Sequence, residues 1–324
     1  MIFPDSYFHA EYRMDFYIPE MMKHAWAAKL ELLSVITSIC KRHHIEYFAC
    51  GGTLLGAIRH QGFIPWDDDI DIALKRPDYN RLIRLLPTEL PHGFALGGMY
   101  ADRPRNFMPS EQTVVITDAL QWDLAEFYQY FHGFPYRQIG IDLFPFDYIP
   151  EDSQLVHIQS VLIQNIIVLV RDWNSLKAAS LLEDKISEIE QLCNVSLTRD
   201  NDLSLQKQLL RLSDSLCSLY SENECSLLDN YPAMIARNTS ILKKEWYHHI
   251  IEVPFENTTI AVPENYHEVL SVCFGSDYMT PRQISSTHHY PFYASQEKAF
   301  QECLLEKGYT GTIDDYCKKY LASK

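Results

Sequence analysis

Apolar residues recur at three- and four-residue spacing over positions 19–44, with Trp26, Leu30, Leu33 and Ile36 on one side, which predicts an amphipathic helix. A short apolar run at 46–50 then closes on Gly51-Gly52 and reads as a strand. Thr53 is the expected N-cap of a helix running to about His60. Beyond Pro65-Trp66, Asp69-Ile70-Asp71-Ile72 alternates polar and apolar, the period of a half-buried strand expected over 69–74. On it, Asp69 and Asp71 share one face while Ile70 and Ile72 point to the core. Pro77 opens a helix to about Leu86, and 113–117 and 139–146 read as further strands. Downstream, 155–170, 181–193 and 203–220 carry apolar stripes at helical spacing, as a helix-on-helix core requires. The pattern predicts an α/β (α+β) chain: a small mixed sheet with flanking helices and a helical insertion after about residue 151.

Positions 50–72 concentrate the chemistry. Gly51 and Gly52 allow a backbone to come close to a phosphate, Arg59-His60 follows, and then come Asp67, Asp68, Asp69 and Asp71. Carboxylates this close repel one another unless cations sit among them. An isolated Asp-rich run is ordinarily a solvated turn or a helix cap; here it leads into apolar strand residues. Two carboxylates on one strand face can share a hard cation, and Mg²⁺ takes carboxylate, water and phosphate oxygens. Asp67 and Asp68 are expected in the turn before the strand.

A third carboxylate, Asp142, lies within the apolar run from Gly140 to Pro150. Burying it is costly unless it is paired or metal-bound; a bond to backbone amides or to an arginine is the alternative. Asp147 lies close to Pro150 and reads as a turn or cap residue. His288-His289 suit phosphate, metal or acid/base chemistry, or ordinary surface or core roles.

The stretch from Gly51 to Gly56, with Arg59-His60 and Phe63-Ile64-Pro65-Trp66-Asp67-Asp68-Asp69-Ile70-Asp71, resembles the signature of the LicD family. These are phosphocholine and polyol-phosphate transferases related to fukutin and fukutin-related protein, within the nucleotidyltransferase superfamily. Gln61 departs from the basic residue expected there. The run from Gly140 to Pro150 and the segments Val253–Asn257, Val262–Tyr266 and Phe274–Met279 are similar to further family segments. The resemblance covers about 30–151 and 245–290; positions 152–244 match nothing recognisable.

The resemblance implies a nucleotidyltransferase-like catalytic core at 1–151, a helical insertion or subdomain at 152–244, and a C-terminal segment at 245–324 that completes the active site. Asp69, Asp71 and Asp142 would be the catalytic and metal-holding triad, with one or two Mg²⁺ ions, or Mn²⁺ in their place. Gly51, Gly52, Thr53, Arg59, His60, Trp66, His288 and His289 would bind substrate. The implied reaction moves a substituted phosphate from a CDP-activated donor such as CDP-choline to a hydroxyl of a glycan or glycolipid. Such acceptors belong to lipopolysaccharide or teichoic acid synthesis. Two alternatives stand beside it: nucleotidyl transfer from an NTP with release of pyrophosphate, and a non-catalytic glycan- or nucleotide-binding relative.

Composition narrows the partners. At 324 residues the chain can bury a substantial core, and its net charge of −15 argues against nucleic acid and against electrostatic docking on an anionic bilayer. The longest apolar stretch, 161–170, is interrupted by Gln164 and Asn165 and reads as too short to span a bilayer. A buried helix is expected there, with contact against a membrane or a partner as the alternative. The first residues lack a basic segment followed by an apolar one. The eight cysteines show neither Cys-x-x-Cys nor zinc-ligand spacing. Both fit a cytoplasmic protein, at most at the inner membrane face. The aromatic segment 122–134 is expected either to pack at the sheet edge or to place Trp122, Tyr128 or Tyr130 over a quaternary ammonium group.

Overall fold

The computed structural model describes residues 1–101, 113–237, 242–283 and 290–323. A small hairpin, β1 (Glu11–Arg13) and β2 (Phe16–Ile18), leads into α1 (Glu20–Arg42). There follow β3 (Phe48–Ala49), α2 (Gly51–His60), β4 (Asp71–Lys75), α3 (Arg76–Glu89), β5 (Phe94–Leu96), β6 (Val114–Thr117), α4 (Leu124–Tyr130) and β7 (Gly140–Ile149). A helical region comprises α5 (Ser153–Arg171), α6 (Trp173–Ala178), α7 (Leu182–Cys193) and α8 (Asp202–Cys217). The chain continues through β8 (Leu227–Asp229), α9 (Tyr231–Arg237), the hairpin β9 (Ile250–Phe255) and β10 (Thr258–Pro263), and ends with α10 (Tyr266–Phe274), α11 (Ala294–Glu306) and α12 (Ile313–Ala322).

The main sheet runs β3-β4-β7-β6-β5, with β8 added to β7. Only β4 and β7 are parallel, so the expected small mixed sheet with flanking helices is the fold. Trp26, Leu30, Leu33 and Ile36 of α1 are all buried, as are Ile72 and Leu74 of β4 and Ile141 and Leu143 of β7, and they share one core cluster. The 3.6-residue and two-residue periods in the sequence therefore meet at one layer boundary, where each buried side chain of this size stabilises by about 1.5–3 kcal/mol.

The helical region has a core of its own. Ile166, Leu169 and Val170 of α5 pack with Ile186 and Ile189 of α7 and Leu205 and Leu209 of α8. Helix α5 has 19 residues and a mean hydropathy of 1.5, long and apolar enough to cross a membrane by length and composition alone. This corrects the expectation drawn from the shorter run at 161–170. Here one of its faces is packed, while Leu155, Ile158 and Val161 are exposed.

Asp147 also departs from expectation. It is a fully buried strand residue, 0% exposed, and not a turn residue. Arg76 forks onto it, with Nε 2.6 Å from Oδ1 and Nη2 2.9 Å from Oδ2, while Nη1 reaches Asp214 of α8 at 2.9 Å. The Tyr100 hydroxyl donates to the other Asp214 oxygen. A guanidinium satisfies two carboxylates at once because its fork geometry matches them.

The β9–β10 turn clamps the loop after α2. Glu256 donates its N–H to the Gln61 carbonyl at 2.7 Å, and its carboxylate accepts from Phe63 N–H at 3.2 Å and from Arg13 Nη1 at 2.6 Å. Gln61 ends α2 in the left-handed conformation (φ 53°), which brings the chain back along the helix. That return passes so close that a Cβ on Gly56 would stand 2.5 Å from the Gly62 carbonyl oxygen and 3.3 Å from the Ile64 nitrogen. Both are backbone atoms. Gly56→Ala is therefore expected to cost about 2–3 kcal/mol; chemical denaturation reads this, and an unchanged midpoint would contradict the close approach.

Candidate active site

The site is built where β4 and β7 run side by side. Asp71 opens β4 and stands in register with Asp142 on the adjacent parallel strand. Strand neighbours lie about 4.8 Å apart. Ile70, Ile72, Ile141 and Leu143 are buried on the opposite face, so the alternation puts both carboxylates on one side. The sequence spacing of 71 residues between them is closed by the crossover through α3, β5 and β6. Asp69 lies just before the strand, which begins at Asp71 and not at 69.

Helix α2 begins against these carboxylates. Gly51 has φ +53°, and a Cβ there would meet Asp71 Oδ2 at 3.4 Å; a Cβ on Gly52 would stand 2.8 Å from Asp67 Oδ2. The two glycines thus let the positive end of a ten-residue helix close onto negative charge. Thr53 is not the cap, which is Cys50. It lies inside the helix, and its hydroxyl accepts the Asp71 N–H at 2.8 Å. Together with the bond from Cys50 N–H to the Asp71 carbonyl at 3.2 Å, this fixes β4 to α2.

Asp71 is held well above the usual carboxylate range. Burial is the main cause, followed by the charges of Asp69, Asp142 and Asp67, with Lys29 opposing them. Asp67 therefore belongs to the charge cluster, and it closes the expected turn through Pro65-Trp66, its N–H donating to the Ile64 carbonyl at 2.9 Å. Asp68 is fully buried and accepts the Phe292 N–H at 2.7 Å, joining the acidic run to the C-terminal part of the chain.

Arg59 and His60 lie at the other end of α2, about 12 Å along the axis from Gly51 at ~1.5 Å per residue. Arg59 donates to the Tyr278 carbonyl (2.9 Å) and, through Nε, to His60 Nε2 (2.8 Å). Burial and the charges of Arg59 and Arg13 push His60 down to about 4, so at neutral pH it is an uncharged acceptor. Trp66 packs edge-on against Phe16 and His60, with centroids at 6.0 and 6.4 Å. The His60 ring links Arg59 and Trp66 at this end of α2. His288 and His289 lie outside the described residues.

The aromatic segment is packing material. Trp122 donates to the Gly93 carbonyl at 2.7 Å and lies edge-on to Phe94 and Phe127. The Tyr128 hydroxyl is bound to Asp314 at 2.5 Å, and Tyr130 is 38% exposed beside Trp122. Trp122 and Tyr130 pack at the edge strand β5 through Phe94, and Tyr128 joins α4 to α12.

A residue the sequence did not single out is Lys29. A lysine on an amphipathic helix normally reads as solvated, and only the packing shows that it is 6% exposed. Its Nζ donates to the Gly140 carbonyl at 2.6 Å and stands 4.5 Å over the Phe292 ring.

The donor set is all hard oxygen, which suits Mg²⁺. Among the described residues no three Asp, Glu, His or Cys side chains close into a cation cage. Mg²⁺ commonly takes one or two carboxylates and completes its octahedron with water and substrate phosphate, so an open carboxylate pair fits it.

Residues 44–165 match the family described as LicD/FKTN/FKRP, nucleotidyltransferase domain. Over 282 residues, 80% of its length, the chain is 27% identical to the lipopolysaccharide cholinephosphotransferase LicD of Haemophilus influenzae, covering 92% of that protein. A 57-residue stretch, 18% of the chain, is 42% identical to an uncharacterized protein of Rickettsia prowazekii and 40% identical to one of Rickettsia typhi, covering 21% and 18% of those proteins. The glycine turn, the acidic run and Asp142 all lie inside the matched residues, so this part of the chain, 44–165, is a LicD-family domain.

Proposed function

We propose that this protein transfers phosphocholine, or a related phospho-alcohol, from a CDP-activated donor to a hydroxyl of a lipopolysaccharide-type glycan or glycolipid. The observation that carries this reading is the in-register pair Asp71 and Asp142 against the glycine start of α2. It lies in a chain aligned with nearly the whole of a lipopolysaccharide cholinephosphotransferase. A cytoplasmic location belongs to the same reading, supported by eight cysteines that are all free thiols.

Asp71 and Asp142, with Asp69, would hold one or two divalent cations. Bound there, Mg²⁺ would offset charge on the diphosphate and on the leaving nucleotide and acidify the attacking hydroxyl. The acceptor oxygen attacks the choline-bearing phosphorus, the bond to the bridging oxygen breaks, and CMP leaves with that oxygen. A cluster carboxylate takes the acceptor proton; its proton affinity is raised because its neighbours are also negative. The amides at the start of α2 face the same side and would steady the donor phosphates.

The test uses purified protein, CDP-choline labelled in the choline, and a choline-free lipopolysaccharide acceptor. Label is expected to move to the acceptor with release of CMP, to stop with EDTA, and to return with excess Mg²⁺. CDP-glycerol and CDP-ribitol run alongside identify the carried group. Pyrophosphate release from CTP, with no transfer from any of the three donors, would replace this reading by nucleotidyl transfer.

A further inference from the structure

A buried ammonium beside an acidic site calls for an account. Lys29 lies on the core side of α1, between the start of β7 and the C-terminal segment. Among the described residues its Nζ meets the Gly140 carbonyl and the Phe292 ring, both neutral. Neutral partners offset only part of the cost of burying a charge. The carboxylate cluster lies next to both contacts and offsets part of that cost. Both contacts also lead into the site. Gly140 is two residues before Asp142 on β7, and the Phe292 N–H binds Asp68 of the acidic run.

We propose that Lys29 is an electrostatic positioning residue of the transfer site: held at the entry of β7 by the Gly140 carbonyl, its charge favours a donor diphosphate while opposing a divalent cation. The inference rests on the proposed transfer function. It gives Lys29 two effects of opposite sign, which a merely structural lysine would not have. A positive charge close to the carboxylates weakens their hold on a second cation and strengthens the site's hold on an anion. The metal would then bind firmly only when the diphosphate arrives with it.

The test is calorimetric and needs no turnover. Wild type, Lys29→Met and Lys29→Arg are titrated with MgCl₂ alone, and with CDP alone in the presence of EDTA. Lys29→Met keeps the length of the side chain and removes the charge. It is expected to bind Mg²⁺ roughly tenfold tighter and CDP roughly tenfold weaker, with Lys29→Arg returning both towards wild type. Weakening of both ligands, or no change in either, overturns the inference. In case Lys29→Met does not fold, the wild-type protein carries a second measurement. The ¹³Cε signal of Lys29 in lysine-labelled protein, assigned by its absence from Lys29→Arg, should move on adding MgCl₂ and again on adding CDP. A signal unmoved by either overturns the inference. Wild-type protein that binds neither Mg²⁺ nor CDP would remove the transfer function itself; wild-type binding with like changes in Lys29→Met removes only the role of Lys29.

Discussion

Asp71→Asn is expected to lower transfer by at least ~10³-fold while raising the melting temperature of the metal-free protein at pH 8. The loss follows from removing a full ligand charge from a site where electrostatic stabilisation is the main catalytic resource. The gain follows from the crowding of Asp71 by Asp69, Asp142 and Asp67 in a buried setting, which lifts its pKa in the folded state. A group raised in this way favours folding fully below its unfolded value of about 4, and that contribution is lost as pH rises through the folded value. At pH 8 the ionised side chain opposes folding, and asparagine of the same shape relieves it by about 1–2 kcal/mol, some 2–4 °C in a chain of this size. At pH 4 the two proteins should melt together. Saturating Mg²⁺ should reverse the order at pH 8, because only the wild type gains the full binding free energy. A metal-free variant less stable than wild type at pH 8, or one that keeps a tenth of the activity, would remove Asp71 from the centre of the site.

Arg76→Met should destabilise the fold by about 3–5 kcal/mol, because it strands Asp147 and Asp214, which are 0% and 9% exposed, without their shared cation. The triad joins α3, β7 and α8, so the loss should appear in the sheet and the helical region together. Asp147 is five residues along β7 from Asp142, about 17 Å at ~3.3 Å per residue. Activity per folded molecule at low temperature should therefore stay within about twofold of wild type. Replacing all three charged residues with apolar ones of similar volume should recover most of the stability, as apolar replacements of buried ion groups often do. Urea denaturation followed by circular dichroism decides this. A shift under 1 kcal/mol for Arg76→Met would show that the triad is hydrated in solution.

Asp71 was legible in the chain itself. Its alternation with Ile70 and Ile72 needs only the two-residue period of a strand, and its place after Gly51-Gly52 needs only local order. Asp142 stood out because a carboxylate in the run from Gly140 to Ile149 must be accounted for. That the two meet in register is a matter of strand pairing, which no local pattern specifies. Asp147 shows the converse. It sits in the same strand with the same surroundings in sequence, yet its partner Arg76, and Asp214 which shares that cation, come from positions 71 residues before it and 67 after it.

What the sequence by itself determined is the period and the punctuation. The α1 stripe through Trp26 and Ile36, the start of α3 beside Pro77 and the three apolar stripes of the helical region all rest on contacts within a few residues, and they appear where expected. Tertiary structure decided which residues of one motif act together. Arg59 and His60 follow Gly52 closely in sequence, but a ten-residue helix carries them to its far end, where Tyr278 and Trp66 engage them. Thr53 looked like a cap, but the positive φ of Gly51 started the helix earlier and left its hydroxyl for Asp71. Lys29 looked like any lysine on a helix surface until the packing of α1 on β7 enclosed it. Local sequence sets the conformation of a segment through short-range sterics and hydrogen bonds. Charges separated along the chain interact only after the sheet and its crossovers have closed the distance and excluded water between them.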